Sequence, residues 1–284
     1  MHVFNTKKDL QAYIEKNYGS NDTIGFVPTM GALHVGHISL VNRSLKENKV
    51  VVVSIFVNPT QFNNSSDLDN YPRSLDKDIF LLEKANKNII VFAPSATDLY
   101  NGKPVSTKYN FEGLEDQMEG KFRPGHFDGV GTVLTLLFDA VKPSAAYFGE
   151  KDFQQLQVVE KLVEIQKLPI KVVGCDIYRE ANGLAFSSRN ERLTPEQRSE
   201  GKLLFDVLSE VKELFGTKSV VELNEMVIQK FENHPLFELE YFEIAAISDL
   251  KTVVKIQEDQ KYRAFLAVFA DEVRLIDNIA LNYN

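Results

Sequence analysis

Over the first two thirds of the chain, apolar residues recur in a strand-and-helix rhythm. The run Thr23 to Val27 reads as a buried strand, and Ile38, Leu40, Val41 and Leu45 then fall on one face of a helix. Val50 to Val57 is a continuous β-branched run of the kind covered on both faces. A helix starting near Ser74 and carrying Ile79, Leu82 and Ala85 leads to a strand, Ile89 to Ala93. Between Pro94 and Gly129 the periodicity fades, a length of loop that is more often functional than filler. The rhythm returns with an apolar helix, Thr132 to Val141, and a strand, Ala145 to Phe148. A helix from roughly Phe153 to Gln166 and a strand, Ile170 to Val173, close the series. Ahead of it, Thr6 with Asp9 can cap a first helix bearing Leu10, Tyr13 and Ile14. Five buried strands alternating with helices predict the α/β class, a Rossmann-like doubly wound parallel sheet. Right-handed crossovers then place the loops that follow the strands along one edge, where such sheets bind ligands.

Beyond Asp176 the pattern changes. Thr194-Pro195-Glu196-Gln197 is a helix start with a capping hydroxyl and Gln at the capping-box position, and Leu203, Leu204, Leu208, Val211 and Leu214 follow at helical spacing. A second amphipathic helix, Val220 to Phe231, precedes three β-rich runs, Tyr241 to Ala246, Tyr262 to Ala270 and Val273 to Leu281, the last two joined by a tight turn at Asp271-Glu272. The expectation is a nucleotide-type domain over residues 1–175 and a smaller α+β C-terminal domain over 176–284.

Composition narrows the partners. With 284 residues and 44% hydrophobic content the chain can bury real cores, and its net charge of −8 disfavours a nucleic-acid partner, which calls for a basic face. No apolar run approaches the length of a membrane span, and Lys7, Lys8 and Asp9 stand where a secretory signal needs an apolar core, so a cytoplasmic protein is expected. Cys175 has no second cysteine to bridge, and with no base beside it in sequence it reads as a packed residue rather than a nucleophile.

Polar residues gather where strands should end. Pro28-Thr29-Met30-Gly31-Ala32-Leu33-His34-Val35-Gly36-His37 joins the first strand of the rhythm to its helix. Its glycines allow close backbone approach, the helix start offers free N–H groups to a phosphate, and His34 and His37 lie one turn apart. A zinc half-site or a solvated helix start are the plainer alternatives, but partners for zinc are lacking. Phe56-Val57-Asn58-Pro59-Thr60-Gln61-Phe62 closes the next strand, and Gln61 can hold a hydroxy acid without adding charge, or is simply a turn residue after Asn-Pro. Gly149-Glu150-Lys151-Asp152-Phe153-Gln154-Gln155 offers backbone amides, a lysine charge for a triphosphate, and Asp152 for a ribose hydroxyl or a Mg²⁺-bound water, or else it is a solvated charged helix start. Gln155 can reach the pocket beside Gln61. Ala185-Phe186-Ser187-Ser188-Arg189-Asn190 sets two hydroxyls and a guanidinium on a loop, a clamp for phosphate oxygens or an ordinary capping loop. Glu119 to Val130, with Arg123, His126 and Asp128 among glycines, reads as a lid or as a polar lead-in to the next helix; Gly129-x-Gly131 lacks the third glycine of a dinucleotide fingerprint.

The His-x-Gly-His run after a strand resembles the HIGH-type signature of the nucleotidyltransferase superfamily. With FVNPTQF, Leu68-Asp69-Asn70-Tyr71-Pro72-Arg73, EGKFRPGHFDGV, FGEKDFQQ and GLAFSSRN in consistent order, the chain is similar to the pantothenate synthetases, the pantoate beta-alanine ligases of the coenzyme A pathway. The resemblance runs from Pro28 to Asn190. It implies an AMP-forming ligase that joins ATP and pantoate into a pantoyl adenylate, releases pyrophosphate, and lets the amine of beta-alanine displace AMP. It further implies that Met30 to His37, Gly149 to Asp152, Tyr178 through its main chain, and Phe186 to Arg189 bind ATP. His37 is then the usual proton donor, Gln61 and Gln155 hold pantoate, and Gln61 borders beta-alanine. Tyr178 departs from the smaller aliphatic common there, which a main-chain contact tolerates. Mg²⁺ and a homodimer are also implied. By the chemistry, His34, His37, Lys151, Ser187, Ser188 and Arg189 are the catalytic candidates, since a carboxylate attacking phosphorus needs alignment and charge stabilisation rather than a base. No side chain is assigned as base for the amine step. The alternatives are a nucleotidyltransferase with a phosphate-ester acceptor, for which neutral glutamines are a poor match, and a non-catalytic nucleotide-binding regulator.

Overall fold

The computed structural model describes residues 1–61, 68, 71 and 74–282; of the sequence motifs, Phe62, Asp69, Asn70, Pro72 and Arg73 lie outside the described residues. Two compact units separate, Met1–Glu150 with Gln154–Asp176, and Lys151–Phe153 with Ile177–Asn284.

The first unit holds a six-stranded parallel sheet of β1 (His2–Phe4), β2 (Ile24–Thr29), β3 (Val50–Ile55), β4 (Ile90–Phe92), β5 (Ala145–Gly149) and β6 (Lys171–Cys175), in the order β1-β4-β3-β2-β5-β6. The predicted α/β doubly wound sheet is therefore present, with one strand more than the apolar rhythm predicts. The short β1 pairs only with β4 at the sheet edge, and its residues are mostly exposed, so it leaves no hydrophobic run to read. On one face Val27, Val53, Val91 and Tyr147 pack with Val41 and Leu82 of the helices Val35–Glu47 and Leu75–Ala85. On the other, Phe26 meets Phe138 of the His126–Val141 helix edge to face, with ring centroids 6.2 Å apart. Each such buried aliphatic side chain contributes roughly 1.5–3 kcal/mol.

Two boundaries differ from expectation for reasons of packing. β2 runs on through Pro28 and Thr29, because pairing to β5 ends at Phe26 and a proline is tolerated where one side of the strand is unpaired, while pairing to β3 continues to Thr29. The helix predicted from Thr132 begins at His126. Its early glycines mark close approach rather than loop: a Cβ on Gly129 would lie 2.4 Å from the Thr60 carbonyl, and one on Gly131 would lie 3.0 Å from the Tyr109 ring. The stretch from Pro94 to Gly129 also carries two short helices, Ala96–Tyr100 and Met118–Phe122.

The second unit packs the helices Lys202–Leu214 and Val220–Phe231 on an antiparallel sheet of β7 (Glu238–Ala246), β8 (Tyr262–Ala270) and β9 (Val273–Leu281). The capping box at Thr194 and the hairpin turn at Asp271-Glu272 are both formed, and the helix predicted to run on from Thr194 is broken at Gly201. Arg179 donates to both carboxylate oxygens of Asp277, at 2.6 and 2.9 Å, where the Asp277 side chain is 1% exposed. Removing one partner strands a buried charge, so Asp277→Ala is expected to destabilise the protein by about 3–5 kcal/mol. A denaturant titration checks this, and a loss below about 1 kcal/mol would contradict it.

Candidate active site

The turn after β2 is built by backbone geometry. Gly31 and Ala32 both adopt left-handed conformations, with φ of 86° and 51°. For alanine this costs roughly 1–2 kcal/mol, so something must hold it. The carboxylate of Asp78, on the Leu75–Ala85 helix and only 3% exposed, accepts hydrogen bonds from the Ala32 N–H at 3.1 Å and the Leu33 N–H at 2.7 Å. Burial raises the Asp78 pKa, and these two hydrogen bonds oppose the rise.

His34 then caps the Val35–Glu47 helix. Its Nδ1 accepts from the Gly36 N–H at 3.1 Å, and the His37 Nδ1 accepts from the His34 N–H at 3.3 Å, a capping box made by two imidazoles whose centroids lie 4.1 Å apart. A neutral ring that accepts at Nδ1 carries its hydrogen at Nε2, as both histidines then do. Met30 and Leu33 are partly buried in this turn, Gly36 is buried, and Val35 is 44% exposed.

The turn after β3 presents Gln61, which is 9% exposed. Its main-chain carbonyl accepts from His126 Nδ1 at 3.1 Å and from an Arg123 Nη at 3.3 Å, and its N–H donates to the Asn58 carbonyl. Asn58, 1% exposed, donates to the Gly129 carbonyl and accepts from the Tyr100 hydroxyl at 2.6 Å. The backbone of Gln61 is thus fixed, while its side-chain amide makes no hydrogen bond among the described residues. Arg123 and His126, read from sequence as a lid or a lead-in, are docked on Gln61.

After β5, a 3₁₀ turn at Glu150–Asp152 leads into the Phe153–Ile165 helix, and Gly149 faces open space. The neighbouring glutamines divide their tasks. Gln154 is 4% exposed and spends its amide on the carbonyls of Leu114 and Gln117 and the N–H of Glu119. Gln155, half-buried, makes no side-chain hydrogen bond among the described residues. Parallel pairing of β2 with β3 and β5 brings the turns carrying His34 and His37, Gln61, and Gly149 to the same sheet edge.

Within the second unit, Lys151 keeps 17% of its side chain exposed with its ammonium 4.0 Å from the half-exposed Asp152 carboxylate. The Lys151 carbonyl accepts from Asn278 Nδ2 at 2.8 Å, Arg263 donates to Asn278, and the Arg263 guanidinium lies 3.9 Å from the Phe153 ring centroid. Ser187 caps the 3₁₀ turn Ser188–Arg192, accepting from the Arg189 N–H at 3.2 Å. Ser188 is half-buried, and the Arg189 side chain is exposed and unbonded among the described residues. Asn190, 1% exposed, anchors this loop to Glu180 and to the Ala185 carbonyl. The Phe186 N–H donates to the Tyr178 carbonyl at 2.9 Å, and their rings lie 6.0 Å apart.

Asp78, Asn58, Gln154 and Asn278 are site supports that periodicity does not single out. Only their burial sets them apart, and the sequence does not show it.

A doubly wound α/β unit with a histidine-capped strand-to-helix turn at its sheet edge, joined to a small α+β unit, defines the class as a doubly wound α/β protein with its candidate site at the strand ends. The chain matches the family model for pantoate-beta-alanine ligase over residues 2–280 and belongs to that family. It is 53% identical over 281 residues to the pantothenate synthetase of Flavobacterium psychrophilum, covering 99% of this chain and 100% of that protein. It is also 53% identical to the enzyme of Christiangramia forsetii, at the same coverage. A solved pantothenate synthetase structure from Thermus thermophilus superposes with a TM-score of 0.87 at 39% identity, covering 98% of this chain and 99% of that one. The Francisella tularensis pantoate-beta-alanine ligase, complexed with beta-gamma ATP and beta-alanine, superposes with a TM-score of 0.79 at 35% identity, covering 99% and 97%.

Cys175 is half-buried at the end of β6, and burial pushes its thiol up to about 11. Alkylation by iodoacetamide is therefore expected to be slow at pH 8 and to accelerate about tenfold per pH unit toward pH 11. Rapid labelling at pH 7 would contradict the packed-residue reading.

Proposed function

We propose that this protein condenses pantoate with beta-alanine at the expense of ATP, forming pantothenate, AMP and pyrophosphate through a pantoyl adenylate. The observation that supports this reading most is Gln61: a fixed, nine-tenths buried residue with an uncommitted neutral amide, on the same sheet edge as the His34 and His37 turn. A neutral amide orients a hydroxy acid while leaving its carboxylate nucleophilic, whereas a phosphate-ester acceptor would call for cations.

In the first step a carboxylate oxygen of pantoate attacks the α-phosphorus of ATP, and the bond to the β-phosphate oxygen breaks. Charge grows on the departing pyrophosphate, and the donors assigned to it are the Nε2–H groups of His34 and His37, Lys151, Ser187, Ser188 and Arg189. His37, which the family resemblance makes the usual proton donor, acts in this reading as a hydrogen-bond donor through Nε2–H, since its Nδ1 accepts from the His34 N–H and the ring is neutral. Met30 to His37, Gly149 to Asp152, the Tyr178 main chain and Phe186 to Arg189 form the nucleotide site. Mg²⁺ bound with the nucleotide would offset the phosphate charge, and Asp152 is the residue that would accept a hydrogen bond from its hydration shell or from a ribose hydroxyl. In the second step the beta-alanine amine, bordered by Gln61, attacks the acyl carbon, and the carbon–oxygen bond to AMP breaks. The amine's proton leaves to solvent or to the departing phosphate. Gln61 and Gln155 hold pantoate throughout. Family membership supports a homodimer and a cytoplasmic location; among the described residues no helix is long and apolar enough to cross a membrane.

An assay with each substrate omitted in turn tests the reading: AMP release is expected only with ATP, pantoate and beta-alanine together. His37→Ala and Lys151→Ala are expected to slow pyrophosphate release, with pantoate as sole acceptor, by about ten- to a thousandfold. Near wild-type rates would refute their roles. Gln61→Ala is expected to raise the KM for pantoate while leaving that for ATP within about threefold. An unchanged pantoate KM would remove Gln61 from the acceptor site.

A further inference from the structure

Asp78 carries more than a helix needs. Asp76, exposed in the same first turn of the Leu75–Ala85 helix, already supplies the charge that favours a helix start, whereas Asp78 is 3% exposed. Its carboxylate makes no ion pair among the described residues, and its oxygens are divided, Oδ2 to the Ala32 N–H and Oδ1 to the Leu33 N–H. The fit is close: a Cβ on Gly31 would stand 3.0 Å from Asp78 Oδ2. A buried acid is bound to the turn in which two consecutive residues, Gly31 and Ala32, are left-handed, directly ahead of the helix start that His34 caps.

We infer that Asp78 is a positioning residue for the nucleotide site, holding Gly31, Ala32 and Leu33 in the shape from which His34 starts its helix. It touches no substrate. This rests on the nucleotide reading given above and adds to it the group that fixes the turn. Burial disfavours the ionised form of Asp78, and the two N–H groups it binds are what favour it.

The test is titration calorimetry of the full chain with Mg²⁺ and β,γ-methylene ATP, alongside steady-state kinetics and thermal unfolding. Asp78→Asn has the same shape but turns one of its two acceptors into a donor facing an N–H. It is expected to weaken analogue binding by about ten- to a hundredfold. The KM for pantoate stays within about threefold and the Tm is little changed. Adding Ala32→Gly to that variant removes the strain the carboxylate holds in check and is expected to restore several-fold of the lost affinity. Asp78→Glu, which keeps the charge but crowds Gly31, is expected to show the same selective loss and serves if the amide variant does not fold. Unchanged analogue affinity overturns the inference. So does a loss shared equally by pantoate, a loss that follows Tm and is not relieved by Ala32→Gly, or failure of both variants to fold. If the wild-type chain itself does not bind the analogue, the nucleotide reading falls and this inference with it.

Discussion

The pairing of β2 with neighbours on both sides is the constraint from which the rest follows. Strands β3 and β4 extend the sheet in one direction from β2, and β5 and β6 extend it in the other. The chain therefore reverses its direction of growth between β2 and β5, the switch point at which doubly wound sheets open a crevice. Pairing between those two strands stops at Phe26 while β2 continues to Thr29, so the turn beyond it is not closed over by its neighbour. Parallel register then sets the ends of β2, β3 and β5 side by side. That arrangement brings a histidine-capped helix start and the Gln61 turn to one edge.

Electrostatics divides the labour at that edge. The chain is acidic as a whole, with a net charge of −8, yet the turn after β2 carries no carboxylate of its own and two imidazoles, those of His34 and His37. The turn after β3 offers a neutral amide. Such a set favours phosphate without trapping a carboxylate in an ion pair, which suits a reaction whose nucleophile is itself a carboxylate. The cationic groups assigned to pyrophosphate, Lys151 and Arg189, both belong to the second unit. There the Lys151 turn is held by Asn278 and Arg263, and the Arg189 loop by Asn190.

The doubly wound sheet was legible because its central strands are buried on both faces and read as continuous apolar runs, and the capping boxes and hairpin turn were legible from local chemistry. β1 was hidden because an edge strand of three residues is too short to show a period. Gly129 and Gly131 looked like loop residues because a glycine chosen for close packing inside a helix is indistinguishable in sequence from one chosen for a turn. The two adjacent glutamines show the same limit. Gln154 and Gln155 are identical in type, and only tertiary partners reveal that one is spent on the Leu114–Glu119 segment while the other makes no side-chain hydrogen bond among the described residues. Asp78 gave no sign, since an acid near a helix start is ordinary until its burial is known.

The central claim is that this edge makes a carboxylate react at the α-phosphorus. Pantoate carrying ¹⁸O in both carboxylate oxygens tests it directly, with the nucleotide products analysed by mass spectrometry after turnover with beta-alanine. The account predicts one ¹⁸O atom in each AMP, because the oxygen that attacks phosphorus leaves with it. Unlabelled AMP, or label appearing instead in inorganic phosphate, would contradict it.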